Sequence, residues 1–218
     1  MHMLGNISVA LQVMTNPQRL FARLQRTSWY ASMLDDWVEA LGPQPGCSVL
    51  EVGCGPGVFS QRLAKRSLSV TGVDYSHAMI SSAKRLPSTG LDLSFEQGDA
   101  HALGYAQGRF DYVIGASLIN VIDSPIRALE EMQRVTAPSG TVSFLVPSTS
   151  MNGASAQAFV RERKLRGFAS SAMRTWASLA PKMSAEQLAN LFARARLPKP
   201  TIRTQLDGMV LTATSSRS

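Results

Sequence analysis

The stretch that most limits how this chain can fold is residues 47–147, where short apolar runs alternate with segments of helical period. "CSVLEV" (47–52), "LSVTGVD" (68–74) and "RFDYVIGAS" (109–117) are apolar runs of strand length. "LDLSFEQGD" (91–99) sets Leu91, Leu93 and Phe95 against Asp92, Ser94 and Glu96, a period of two with one wetter face. Between them, "VFSQRLAKR" (58–66) keeps Phe59 and Leu63 on one side, and "SHAMISSAKRL" (76–86) turns Met79, Ile80, Ala83 and Leu86 inward behind Ser76 as N-cap. "SPIRALEEMQRV" (124–135) opens with Ser124 as cap and Pro125 in its first turn. "PSG" (138–140) then turns the chain into a fifth strand, "TVSFLVP" (141–147). Strands alternating with helices of this length predict an α/β fold, a parallel sheet covered on both faces.

The 218 residues suit one domain with a small appendage, able to bury roughly 70% of the surface of its unfolded chain. Upstream of the alternation, residues 15–41 read as helical, with Leu20, Leu24, Trp37 and Leu41 among polar neighbours, and "GPQPG" (42–46) ends that block. Downstream, "SAEQLANLFARARL" reads as a capped helix, and "TIRTQLDG" with "MVLTATSS" as a pair of strands. The first segment, "MHMLGNISVALQVM", makes a poor signal peptide, and no apolar run approaches the ~18 residues of a membrane span. Two cysteines, Cys47 and Cys54, cannot build a disulfide framework or a four-thiolate zinc site. His2, His77 and His101 lack ligand-like spacing, so no metal is expected, and the chain reads as cytoplasmic.

Charge is distributed unevenly. Residues 1–149 carry 11 basic and 12 acidic side chains, whereas residues 150–218 carry 11 basic and 3 acidic, so the last third holds the whole of the +7 surplus. Such a surplus fits either an acidic partner or a solvated helical face.

Chemistry concentrates at the first turn of the alternation, "VLEVGCGPGVFS" (49–60). Gly53, Gly55 and Gly57 leave the backbone bare after a strand, where an open α/β sheet binds nucleotides. A dinucleotide fingerprint would place its third glycine at position 58, which is Val58, and no Gly-Lys-Ser/Thr follows for a P-loop. Pro56 lacks the N–H that a diphosphate cradle would use. Asp74 closes the second strand 21 residues after Gly53, placed to accept from both hydroxyls of a ribose. Asp99 closes the third strand, placed to accept from an adenine amino group. Each acid could equally solvate a strand end; taken in order, they converge on an adenosine without phosphates.

These motifs, with "VTGVDYSHAMI", "FEQGDAHAL" and "ALEEMQRVTAPSGTVSFLVP", resemble the successive motifs of class I S-adenosylmethionine-dependent methyltransferases, in particular small-molecule enzymes similar to the ubiquinone/menaquinone-biosynthesis type. The resemblance covers about residues 45–147. It implies a Rossmann-like, doubly wound, mostly parallel seven-stranded sheet with an antiparallel last strand, N-terminal helices and a helical lid insertion. The implied division is a cap at 1–44 and a methyltransferase domain at 45–218, with the lid at about 148–183. The implied cofactor is S-adenosyl-L-methionine. Carried over residue by residue, Gly53, Gly55 and Gly57 would lie against its methionine and ribose, and Glu51 would face its ammonium. Asp74 would hold the ribose, and Tyr75 and Met79 would flank the adenine. Asp99 and the backbone of Ala100 would meet the adenine edge, with His101 on the rim. Ala116 and Ser117 would end the fourth strand beside the sulfonium, and Cys54 would be a small loop residue at the site rather than a nucleophile.

Methyl transfer from a sulfonium needs mainly alignment, and a base only where the acceptor must lose a proton. No catalytic group is specified. Asn120 and Tyr30 are the candidates, and Asn120 could instead be a structural amide. The fourth strand runs into "ASLINVID" without an Asn-Pro-Pro-Tyr-like motif, and no Pro-Cys pair is present, so amino groups of nucleobases and pyrimidine carbon 5 are disfavoured. Acceptor selection is expected from the N-terminal block (Trp29, Tyr30, Met33, Trp37) and the lid (Phe159, Leu165, Phe168, Met173, Trp176), with Arg161, Arg163, Lys164, Arg166 and Arg174 supplying charge. The expected acceptor is a small amphiphilic or anionic molecule. An RNA or protein methyltransferase and a non-catalytic cofactor-binding module are the alternatives, and neither oligomeric state nor acceptor is specified.

Overall fold

A computed structural model describes residues 15–216. The opening segment, with the reading of it as a poor leader, lies outside the described residues. Seven strands, β1 (Ser48–Val52), β2 (Ser69–Asp74), β3 (Leu93–Gln97), β4 (Phe110–Ala116), β5 (Thr136–Pro147), β6 (Thr201–Gln205) and β7 (Val210–Ser216), form one sheet in the order β3-β2-β1-β4-β5-β7-β6. Strands β1 to β5 pair in parallel, and β7 runs antiparallel to both of its neighbours. The strand order reverses between β1 and β4, and a crevice opens there beyond the carboxyl ends of the strands.

The helices are α1 (Pro17–Leu24), α2 (Ser28–Leu41), α3 (Val58–Ala64), α4 (His77–Ala83), α5 (Pro125–Val135), α6 (Gly153–Glu162), α7 (Gly167–Leu179) and α8 (Ala185–Arg194). Alternate strand residues divide between two cores, as a period of two requires. Val49, Val70, Ile114 and Leu145 face α2, α3, α6 and α7, whereas Leu50, Val52, Val113 and Phe144 face α5 and α8.

Several boundaries differ from the sequence expectation. The helical block at 15–41 is two helices, broken at Gln25–Thr27, where Thr27 Oγ1 donates to Leu24 O at 2.7 Å instead of continuing the turn. Ser124 sits at the N-cap of α5 but its side chain makes no capping bond, whereas Ser76 accepts from the Met79 N–H as expected. "PSG" is not a turn ahead of β5 but a bulge within it. Thr136 already pairs with Phe110, and regular pairing resumes at Thr141 opposite Tyr112. The aromatics of α2 are core rather than pocket. Trp37 is 1% exposed, donates from Nε1 to Ser143 Oγ at 2.9 Å and stacks on Phe59.

Phe95 of β3 explains two glycines. A Cβ on Gly57 would lie 2.5 Å from Phe95 Cζ and 2.8 Å from Ala83 Cβ. One on Gly72 would lie 2.8 Å from Phe95 Cδ1 and 2.9 Å from Ser60 Oγ. Gly57, at φ +77°, therefore serves to seat α3 and α4 on the sheet, while Gly55, at φ +55°, faces open space. Gly57→Ala should add an overpacking cost of about 1–3 kcal/mol to the left-handed strain that both positions share. Thermal unfolding should accordingly show a larger loss for Gly57→Ala than for Gly55→Ala; equal losses would remove Phe95 from the explanation.

Candidate active site

The glycine turn is held from β2. Gly53 N–H and Cys54 N–H both donate to Val73 O, at 2.8 and 3.0 Å. The Asp74 carboxylate then spans the crevice wall, with Oδ2 accepting from Gly55 N–H at 2.8 Å and Oδ1 accepting from Ser76 N–H at 2.9 Å. Each oxygen keeps a second lone pair for a ligand. A cavity of about 520 Å³ opens beside this clamp, lined by Gly53, Asp74, Tyr75, Asp99, Ala100 and His101 from the expected set. Its far wall comes from Leu118 and the Val121–Asp123 loop after β4, which the sequence reading did not assign to the site. The signal for that wall was positional only: a loop leaving the carboxyl end of β4 at the point of strand reversal.

Asp99 and His101 work as a unit. Asp99 Oδ1 accepts from the backbone N–H of His101 at 2.9 Å and from its ring Nδ1 at 2.7 Å. The His101 backbone bond is the largest cause holding the Asp99 carboxyl below its ordinary range. The other ring nitrogen, Nε2, is buried in the cavity wall without a hydrogen-bond partner.

Glu51 lies behind the turn, 1% exposed on the central strand β1, paired with Gly72 of β2 and Ile114 of β4. Ser60 Oγ donates to its Oε2, and Gly72 provides the room for that hydroxyl. Burial pushes the Glu51 carboxyl up from about 4.5 to about 8, opposed by the Ser60 hydrogen bond and reinforced by Asp74. Tyr30 stands next to it, 5% exposed, its phenol pushed up to about 12 chiefly by burial, with Ser117 its nearest polar neighbour. A phenol so placed holds its proton at neutral pH, and Tyr30 lines neither cavity of the site.

Other expected residues sit differently. Cys54 is fully buried among Ile80, Ala83 and Phe95, so only its backbone belongs to the turn, and burial raises its thiol far above the ordinary range. Gly57 is consumed by packing. Met79 is half-buried on α4 and is not part of the cavity lining. Ala116 packs against the core on the α2 side, and Ser117, at φ +54°, turns out of the sheet into a second cavity. Asn120 also lines that cavity, its Nδ2 donating to Pro181 O at 3.0 Å.

The second cavity has a volume of about 330 Å³ and shares Val121 with the first. Its wall is apolar: Leu20, Phe21 and Leu24 of α1, Ala172, Trp176 and Leu179 of α7, then Ala180 and Pro181. Of the lid residues expected there, Trp176 alone lines it; Phe159 and Met173 are buried in the core, where Phe159 meets Trp29 edge-on. The arginines are elsewhere: Arg163 lies 3.9 Å from Asp207, and Arg166 is the N-cap of α7. Three polar atoms in the cavity wall, Ser117 Oγ, Asn120 Oδ1 and Thr175 Oγ1, are buried without a well-formed hydrogen bond. Among the described residues no cluster of His, Cys, Asp and Glu could hold a metal ion.

Residues 49–140 match the family model described as a methyltransferase domain. The chain is 39% identical over 103 residues to a demethylmenaquinone methyltransferase of Renibacterium salmoninarum, covering 47% of this chain and 42% of that protein. It is 29% identical over 111 residues to a ubiquinone biosynthesis O-methyltransferase of Stutzerimonas stutzeri, covering 50% and 48%. It therefore spans less than half the length of these relatives. A solved S-adenosylmethionine-dependent methyltransferase from Aquifex aeolicus superimposes with a TM-score of 0.65 at 15% identity over 85% of this chain and 89% of its own, a likeness of fold. Residues 49–140 thus match a methyltransferase domain, the same region is similar in sequence to methyltransferases named for menaquinone and ubiquinone, and the seven-stranded sheet has the fold of solved S-adenosylmethionine-dependent methyltransferases.

Proposed function

We propose that the chain transfers a methyl group from S-adenosylmethionine, bound in the 520 Å³ cavity, to a small, largely apolar acceptor in the adjoining 330 Å³ cavity. The observation that carries this reading is the meeting of the two cavities at the end of β4. One side is polar and furnished by Asp74, Asp99 and His101, and the other is apolar. The volumes suit a nucleoside-sized ligand and a small ring system. When bound, the cofactor supplies a methyl on a sulfonium, already activated for displacement. The chain's own residues orient the partners and exclude water. Asp74 accepts from the ribose hydroxyls, the Asp99–His101 pair meets the adenine edge, and Glu51 faces the ammonium. In this reading the cofactor side comes from the body of residues 45–218, and the acceptor side from the N-terminal cap at 1–44 through α1 and the lid at about 148–183 through α7.

The names of the relatives point to quinone-type acceptors, and the apolar wall supports that class. Because no basic residue lines the acceptor cavity, a neutral ring fits it better than an anion. Asn120 Oδ1, with its amide nitrogen already tied to Pro181, asks for a donor, and the Thr175 hydroxyl can serve either way. An acceptor bearing a hydroxyl on an apolar ring satisfies both. Thr175→Val should raise KM for a hydroxylated aromatic acceptor several-fold and leave cofactor affinity unchanged; an unchanged KM would remove Thr175 from acceptor recognition.

Calorimetric titration with S-adenosylhomocysteine, with NAD as control, tests the cofactor site. Asp74→Ala should weaken binding about tenfold to a hundredfold, and Asp74→Asn, which keeps one acceptor oxygen, should lose less. Absence of binding, or preference for NAD, would overturn the proposal.

Glu51 supplies a pH test. Its folded-state value lies above its ordinary one, so the fold favours the protonated carboxyl. The contribution of Glu51 to stability should be fully present below about pH 4.5 and be lost as pH rises through about 8. Glu51→Gln, which keeps an acceptor for Ser60 and cannot ionise, should be more stable than the native chain at pH 8.5, and that advantage should vanish by pH 4.5. The same variant should bind the cationic cofactor less tightly. Parallel stability curves for the two chains would exclude ionisation of Glu51 as the cause.

A further inference from the structure

Phe21, Val121 and Leu179 are 39%, 57% and 59% exposed, and all three line the mouth of the acceptor cavity. Of the four large hydrophobics exposed on the described surface, only Tyr75 lies elsewhere, on the cofactor side. An apolar rim gathered at one opening marks a binding surface rather than scatter. Its surroundings are basic. Helix α1 carries exposed Arg19 and Arg23, with Arg26 just beyond its end, on the flank opposite Phe21; residues 15–34 contain no acid. Arg85, just beyond the end of α4, shares a surface hollow with Arg19, and Lys182 follows the Ala180–Pro181 wall, its Nζ donating to Ala180 O at 2.9 Å. Arg23 lies 3.9 Å above the Phe168 ring, tying the charged flank of α1 to α7. Asp123, two residues beyond Val121, lines the cofactor cavity rather than the acceptor cavity.

We infer that this rim docks on an anionic lipid bilayer, so that the acceptor cavity opens towards the lipid. The inference rests on the acceptor reading of the 330 Å³ cavity, and it adds where the acceptor comes from. Charge complementarity selects the occupant. Apolar side chains that enter the acyl boundary, flanked by guanidinium groups that stay at the headgroups, are the chemistry of an interfacial anchor. A nucleic acid would use the arginines but leave the aliphatic rim in water, and a second copy of the chain would bring another basic flank against this one. No helix among the described residues is long and apolar enough to cross a membrane, so the contact is peripheral.

Sedimentation of the full chain with vesicles tests the contact, using phosphatidylcholine alone and phosphatidylcholine mixed with phosphatidylglycerol. Association should appear with the anionic vesicles and weaken as salt rises. The double variant Arg19→Ser, Arg26→Ser, neither residue lining either cavity, should lower partition about tenfold or more. It should bind S-adenosylhomocysteine as before. Phe21→Asp should reduce association with either vesicle. Indifference to lipid charge, failure to associate, or tighter binding to single-stranded RNA than to anionic vesicles would overturn the inference. So would a dimer that Phe21→Asp dissociates while vesicle binding persists. The failures are separable. Loss of vesicle binding with intact S-adenosylhomocysteine binding sinks the membrane contact alone. Vesicle binding that needs the rim, in a chain that binds no S-adenosylhomocysteine, sinks the methyl-transfer reading and leaves the surface.

Discussion

The crevice depends on the Asp74 carboxylate. One oxygen takes the Gly55 N–H and the other the Ser76 N–H, so a single side chain fixes the glycine turn after β1 to the start of α4 after β2. Both donors are backbone groups that the turns would otherwise leave open, and a carboxylate between them forms strong, charge-assisted bonds. The geometry of the site thus comes from two adjacent parallel strands, not from any one loop. It also explains why Asp74 can be structural and functional at once: a carboxylate has about four lone-pair directions, and the clamp occupies two.

What the sequence made legible follows the same division between local and distant. Strand alternation, the caps at Ser76 and Ser184, and the acids closing β2 and β3 are local patterns, and the fold places each as read. The packing reason for Gly57 was not legible, because the Phe95 ring that a side chain there would meet sits nearly forty residues away on β3. Gly72 carried a usable signal that went unread, since a glycine inside an apolar strand marks a close approach; here the approach is by Phe95 and Ser60. Cys54 looked like a site residue by position, yet the turn aims its thiol into the packing beneath α4. The second cavity was legible only in part: the N-terminal block and the segment after β5 were named from the sequence, but which of their residues line it depends on the packing of α1, the β4–α5 loop and α7, elements far apart in the chain. The aromatics of α2 had the right composition for a pocket, but the helix presents them to the sheet.

Glu51 shows how the site and stability oppose each other. A carboxylate buried on a central strand, beside Asp74, weakens the fold wherever it is ionised. The Ser60 bond offsets part of that, and Gly72 gives up a side chain to make the bond possible. A cation arriving in front of the turn would complete the balance, since it favours the charged carboxylate that burial disfavours. Ser117, held at φ +54° with its N–H donating to Leu145 O at 2.7 Å, is the matching strain at the other cavity.

The acceptor side follows a different economy. Its wall offers an apolar surface, three unpaired polar atoms and no charge, while the charges that the sequence suggested for substrate binding lie outside the cavity. Specificity built this way rejects ligands that lack the polar group, because the orphaned atoms then stay unpaired, and it rejects anions, because nothing inside compensates them. Attraction and selection are therefore separated in space. In the proposed reading the guanidinium groups of α1 act at the surface and at a distance, on a partner whose headgroups are anionic, while the cavity behind Phe21 discriminates by shape and by a donor to Asn120. A helix with its arginines on one flank and its apolar residues over a cavity does both, which is why the short α1 matters more to the acceptor than the larger aromatics of α2.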